Sequence, residues 1–251
     1  MNKKALKTLE FYKIIESLTS HASSPMGKEL CRNLEPSDDL DTIRRMQKET
    51  HDALSRLFKK GNLSFGSAKD IRPSLKRLEI GSSLNIPELL AICGLLDNTA
   101  RVKSYGRHEH SDVLPDVLDP LFDALEPLTP LSARIRSCII SEDEIADDAS
   151  SNLKQIRRSM KQAGDKIHTQ LNSLLNGSIR TYLQDAVITM RNGRYCVPVK
   201  SEHRGQVPGM IHDQSSTGST VFIEPMSIVK LNNDIRELEN KEKVEIEVIL
   251  A

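Results

Sequence analysis

The residues best suited to chemistry sit in one short stretch. Arg191, Arg194, Lys200, His203 and Arg204 fall at hairpin and loop positions between residues 184 and 225. Cationic groups at such positions suit phosphate oxygens, contacts that place a protein on a duplex without reading its bases. Arginine suits the task because its planar fork meets two oxygens at once. Arg191 and Arg194 flank Asn192-Gly193, so a narrow tip with a guanidinium on either side is expected. Lys200 and Arg204 follow on a strand and loop, where Gly205, Gly209 and Gly218 would let the backbone approach a partner closely. The stretch is not net basic, because Asp185, Glu202, Asp213 and Glu224 balance Arg191, Arg194, Lys200 and Arg204. A second reading therefore pairs the arginines with Glu202 and Asp213, leaving them only to solubilise the hairpin. A further basic face, Lys154, Arg157, Arg158 and Lys161, lies upstream, where between residues 150 and 183 the only acid is Asp165. Such one-sided charge is either a solvated helix face or a surface for a polyanion.

Catalysis finds no comparable support. Gly27-Lys28 has Ala22 and Glu29 where a phosphate loop needs Gly and Ser or Thr, so neither the amide cradle nor the magnesium ligand is present. His212-Asp213 and Ser215-Ser216 offer pieces of a triad without the oriented base and oxyanion donors a nucleophile requires. His108 and His110 could bind metal, but no third ligand stands near them in the sequence. Cys31, Cys93, Cys138 and Cys196 are scattered, which reads as free thiols in a reducing cytoplasm. No catalytic residue, metal or cofactor site is expected in residues 1–251.

Composition is neutral on partners. Lys plus Arg and Asp plus Glu both number 35, so any basic footprint must be local. Charged residues make up 28% and aromatics 4%, with no Trp, as in long solvated helices. No apolar run reaches membrane-spanning length, and no signal-peptide core follows Met1.

The elements that must position these residues follow from periodicity. Residues 1 to about 138 read as punctuated helices. Ser24-Pro25, Asn85-Ile86-Pro87 and Thr129-Pro130 look like caps followed by proline, and Gly61 looks like a stop after an apolar stripe Leu40, Ile43, Gln47, Thr50, Leu54, Leu57. Ile139-Ile140 suggests a short strand. Leu153, Ile156, Met160, Ala163, Ile167, Leu171 and Leu174 then keep a heptad seam, predicting a helix over 150–183 of roughly 50 Å. Residues 184–225 switch to alternation, with Asn192-Gly193 as a type I′ hairpin turn and Val221-Phe222-Ile223 as a further strand. From Ser227 the pattern is helical again, with Leu231, Ile235 and Leu238 in register, and the helix reaches Ala251 without a stop signal. The expected fold is mainly α with a small antiparallel β insertion. It divides into a helical core (1–149), a first long helix (150–183), a β-rich module (184–225) and a returning antiparallel helix (226–251), with the module at the tip.

Several segments resemble one family. They are Leu183-Gln184-Asp185, Ile188 through Lys200, Pro208 through Ser215 with Gly218, Phe222-Ile223-Glu224-Pro225, and Leu231 through Leu238. Leu9 through Ile14 and Gln47-Lys48-Glu49-Thr50 fit as well. Together they are similar to the MutS superfamily, in the second bacterial branch with a C-terminal Smr nuclease domain. One departure is Cys196, where a second valine is expected. The resemblance implies a dimeric ATPase and endonuclease that binds double-stranded or branched DNA. It implies suppression of homologous recombination and the splitting of stalled or collided ribosomes through rRNA or ribosomal contact. In its terms residues 1–183 are core and first lever, 184–225 the clamp and 226–251 the returning lever. ATP, magnesium and the nuclease site would belong to sequence beyond Ala251.

Overall fold

The computed structural model describes residues 3–65, 68–107, 115–177 and 179–251. The described chain forms two compact units, one ending at Glu144 and including Leu250–Ala251, the other spanning Ile145–Ile249. His108 and His110 lie outside the described residues.

The first unit is helical. It holds α1 (Lys3–Thr8), α2 (Phe11–His21), α3 (Pro25–Arg32), α4 (Leu40–Lys60), α5 (Arg72–Glu79), α6 (Ile86–Gly106), α7 (Asp119–Asp123) and α8 (Thr129–Cys138). Caps act much as the sequence suggests. The Ser24 side chain accepts from the Gly27 amide, and Asp39 accepts from the Thr42 amide. Asn85 and Glu88 close a reciprocal capping box, satisfying donors that a helix start leaves orphaned. Gly61 ends α4 at φ +77°, a value open to glycine at little cost. Thr129 differs from expectation: it is the first residue of α8, and Leu128 at φ 43° occupies the cap without a side-chain bond.

The expected stripe of α4 is also corrected. Leu40, Leu54 and Leu57 are exposed, and the buried side chain of α4 is Arg56. Its guanidinium donates to Asp116 at 2.6 and 2.8 Å, to Asp119 at 2.5 Å and to the Gly106 carbonyl at 2.9 Å. It also lies over the Phe122 ring. A paired charge faces inward here, so apolar spacing alone chose the wrong face.

After the strands β1 (Ile139–Ser141) and β2 (Glu144–Ile145), the second unit is a helix, a sheet and a helix. In α9 (Ser151–Leu175) the buried positions are Leu153, Ile156, Ala163, Ile167, Leu171 and Leu175. The heptad reading thus holds over most of the helix. Its expected end at 183 does not: α9 stops at Leu175 and Asn176-Gly177 follow as a turn, so the helix is about 37 Å long at 1.5 Å per residue. Residues Arg180–Tyr182 form a 3₁₀ turn, and the Gln184 amide already donates to Pro198.

The sheet contains β3 (Thr189–Arg191), β4 (Arg194–Lys200), β5 (Gly209–Gln214) and β6 (Thr220–Pro225), antiparallel in the order β3-β4-β6-β5. Asn192 and Gly193 have φ of 52° and 71°, as a type I′ turn requires. The chain then enters α10 (Val229–Leu250). The two long helices run antiparallel: Ser150 and Asn152 bond Glu245, while Arg157 bonds Glu242 at 2.6 Å. Further along, Ile167 and Leu171 share a core with Leu231 and Ile235.

Candidate nucleic-acid interface

Alternation along β4 and β6 gives the sheet two faces. Val197, Val199, Val221 and Ile223 turn toward the helices and join Ile167, Leu171 and Leu175 in the core. The other face carries Arg194, Cys196, Pro198 and Lys200 on β4, with Thr220, Phe222 and Glu224 on β6. Residues paired in register share a face, so Arg191 stands with Arg194 and Asp213 with Phe222. Side-chain contacts, and not backbone register alone, group this outer face into three rungs, because Arg191 reaches from the hairpin to Phe222 while its cross-strand neighbour Arg194 reaches Glu224.

The lowest rung is closed. Glu224 is fully buried, an arrangement that needs full hydrogen bonding to offset desolvation. One carboxylate oxygen accepts from Arg194 Nη1 and from Asn232 Nδ2, both at 2.7 Å. The other lies 2.5 Å from His212 Nε2. Arg194 Nη2 donates to Asn233 at 2.5 Å. Asn232, also buried, accepts from the Tyr195 amide at 3.1 Å and donates to the Tyr195 carbonyl at 3.2 Å, as a neighbouring strand would. Beside them Cys196 is buried; desolvation, reinforced by the Glu224 charge, pushes its thiol pKa up to about 11.

The middle rung is half open. The Arg191 guanidinium stacks on Phe222, 4.0 Å from the ring centroid, and its Nε lies 3.2 Å from Asp213 Oδ2. The Arg191 and Asp213 side chains are 37% and 48% exposed. Asn192 Nδ2 donates to the His212 carbonyl at 3.0 Å. The β3–β4 hairpin is thus folded across the sheet onto β5, and the expected projecting tip between two guanidiniums is not formed. The hydrophobic ring of Phe222 and the carboxylates of Asp213 and Glu224 draw the arginines down. The pairing of Arg191 with Asp213 matches the second reading of the sequence, while Arg194 takes Glu224 and not Glu202.

The upper rung is open. Lys200 is half-buried and Arg204 exposed, and among the described residues neither forms an ion pair. His203 Nε2 lies 3.5 Å from Glu202 Oε1, and its ring is 5.3 Å from that of Tyr182. That contact, with the bridge between Leu183 and Val199, brings exposed Arg180 to the same end. The β5–β6 turn joins them, since the Ser201 amide donates to Ser219 at 2.9 Å.

Of the glycines, Gly218 takes φ +74° in that turn, and Gly205 has open space around it. Gly209 serves packing and not partner approach: a Cβ there would lie 2.2 Å from the Glu224 carbonyl oxygen. On α9, Arg157 is also structural, bonding Glu242, Asp147 at 2.5 Å and the Ile145 carbonyl at 2.7 Å. Lys154 pairs with Asp148, whereas Arg158 and Lys161 are exposed without an ion pair among the described residues. Sequence reasoning missed Phe222, Glu224, His212 and Asn232 as a set. Its usable signal was period two on β6, which puts Phe222 and Glu224 on the face opposite Val221 and Ile223.

No catalytic arrangement appears among the described residues at the candidates named above. His212 addresses Glu224 and not Asp213, and the Ser215 hydroxyl accepts from the Thr220 amide at 3.1 Å. No three described His, Cys, Asp or Glu side chains could share a metal ion. Among the described residues no helix is long and apolar enough to cross a membrane. All four cysteines are free thiols.

Fold and site define a class: a mainly helical chain in which two antiparallel helices carry a small β module with a graded basic face. All 251 residues align with proteins named Endonuclease MutS2, at 57% identity in Lachnospira eligens, 55% in Agathobacter rectalis and 44% in Alkaliphilus metalliredigens. The chain spans about a third of the length of these curated relatives, 31 to 32%. No family model matches it. Across the third of their length that it spans, this chain is a relative of the MutS2 proteins.

Proposed function

We propose that this chain is the part of a MutS2-like protein that grips nucleic acid through phosphates without reading sequence. The observation that carries the reading is the upper rung, where Lys200, Arg204 and Arg180 have no ion pair among the described residues, at the end of the sheet that holds His203 and a hydroxyl-rich turn. Such groups neutralise phosphate and release counterions, so binding is steep in salt. Double-stranded or branched DNA is the proposed partner. ATP and magnesium binding, nuclease action, dimer formation and restraint of recombination in the cytoplasm are proposed for the whole protein, in sequence outside these 251 residues.

A second reading, a module that grips a ribosomal or other protein surface, is favoured by exposed Met210, Ile211 and Met226 around the outer strand β5. Salt separates the two, because apolar contact does not weaken steeply as salt rises. The test titrates random-sequence duplex against the chain and against Lys200→Ala/Arg204→Ala over a salt series. The expected result is weaker binding and a slope of log affinity against log salt shallower by about 0.9 for each lost contact. Unchanged affinity and slope would reject the upper rung and favour the protein-gripping reading.

A further inference from the structure

Arg191 is held differently from its neighbours. Lys200, one rung above on the same face, has no carboxylate partner among the described residues, and Arg194, one rung below, is locked to buried Glu224. Arg191 stands between, with its guanidinium on the Phe222 ring and its Nε 3.2 Å from Asp213. Both members of that pair are more than a third exposed, so water screens it; Nη1 of Arg191 also donates to the Met190 carbonyl at 3.0 Å, a bond within the hairpin that does not involve Asp213. Asp213 presents to Arg191 what a phosphate would present, an anionic oxygen at hydrogen-bond distance on a solvent-facing surface. We infer that Asp213 is an intramolecular phosphate surrogate, an autoinhibitory contact that masks Arg191 until a polyanion displaces it and adds a further phosphate contact next to Lys200.

The inference rests on the phosphate-gripping reading above and supplies its regulation. Displacement moves one side chain and leaves the backbone in place, because the hairpin remains anchored by Asn192 on the His212 carbonyl and by Arg194 on Glu224. Carboxylate and phosphate compete for one guanidinium, so the mask sets a threshold: sparse anions leave Arg191 on Asp213, and a dense phosphate array removes it. Stacking on Phe222 keeps the freed guanidinium above the sheet and reduces the ordering needed to meet the new partner.

The test uses the 251-residue chain and a labelled random-sequence duplex, with binding read by fluorescence anisotropy over a salt series. Asp213→Asn keeps the acceptor that takes the Gln214 amide at 2.8 Å and removes only the charge, so the fold is expected to survive. It should tighten binding about threefold, within the range of an exposed ion pair, and steepen the salt slope by about 0.9. Both gains should vanish in Arg191→Ala/Asp213→Asn. Phe222→Leu removes the ring that holds the freed guanidinium without altering charge, and added to Asp213→Asn it should reduce the gain. No tightening in Asp213→Asn overturns the proposal. So does an equal gain from Asp213→Asn with and without Arg191, which is the signature of general charge removal. Lys200→Ala/Arg204→Ala, measured alongside, decides the underlying reading separately: if it leaves binding unchanged that reading falls, while coupling between Asp213 and Arg191 still decides the mask.

Discussion

At the scale of single residues, two arginines three positions apart have opposite fates. Arg194 is 16% exposed against a carboxylate that is fully buried, so Arg194→Ala strands Glu224 in the interior. The expected cost is about 3 kcal/mol, read as a drop in urea midpoint at constant slope. Arg191→Ala removes a screened pair and should cost less than about 1 kcal/mol in the same measurement. A comparable loss from both would show that the graded face is wrongly drawn. Cys196 supplies a further check. Its pKa of about 11 leaves little thiolate near neutral pH, so alkylation should be far slower than for half-buried Cys31, and Glu224→Gln should speed it by loosening the surrounding face. None of this is written in the residues themselves. Arg194 and Glu224 lie 30 positions apart, and their meeting is set by the register of β4 on β6.

At the scale of elements, local signals were legible and partner choice was not. Asn192-Gly193, the strands around it, the cap-then-proline start at Asn85 and the seam of α9 all depend on chemistry within a few residues, and the structure carries each of them. The exposed stripe of α4, the early end of α9 and the folded-over hairpin depend on groups brought from elsewhere. In α4 a buried guanidinium outranks three leucines because its carboxylate partners come from residues 116 and 119. Pairing of α9 with α10 gives a quantitative test. Arg157 and Glu242 are about a quarter exposed and bond at 2.6 Å. A double-mutant cycle on Arg157→Ala and Glu242→Ala, monitored by chemical denaturation, should return a coupling near 1 kcal/mol. Additive losses would mean that the apolar seam alone aligns the helices.

At the scale of the whole molecule, acid should weaken the first unit. Hydrogen bonds from Ser132 and then Arg136 hold Asp97 below the usual carboxylate range, and the Arg56 guanidinium does the same for Asp116. A depressed folded-state pKa contributes stability that is present above the unfolded value, near 3.9, and is lost as pH falls through the folded value. Amide protection factors in α6 and α8, corrected for the slower intrinsic exchange in acid, should therefore fall below about pH 4, and the thermal midpoint should fall over the same range. Protection factors unchanged down to pH 3 would contradict it. Arg56→Leu should bring a loss of about 3 kcal/mol at neutral pH, since it leaves the carboxylates of Asp116 and Asp119 without that guanidinium. The Asn232 clip on Tyr195 has a mechanical consequence. Strand β4 connects covalently to α10 only by way of β5, β6 and the turn at Met226–Ile228. The two hydrogen bonds between the Asn232 side chain and the Tyr195 backbone, one accepted and one donated, bypass that route, so a pull applied at Tyr195 should reach the first turns of α10 directly as torque on the helix.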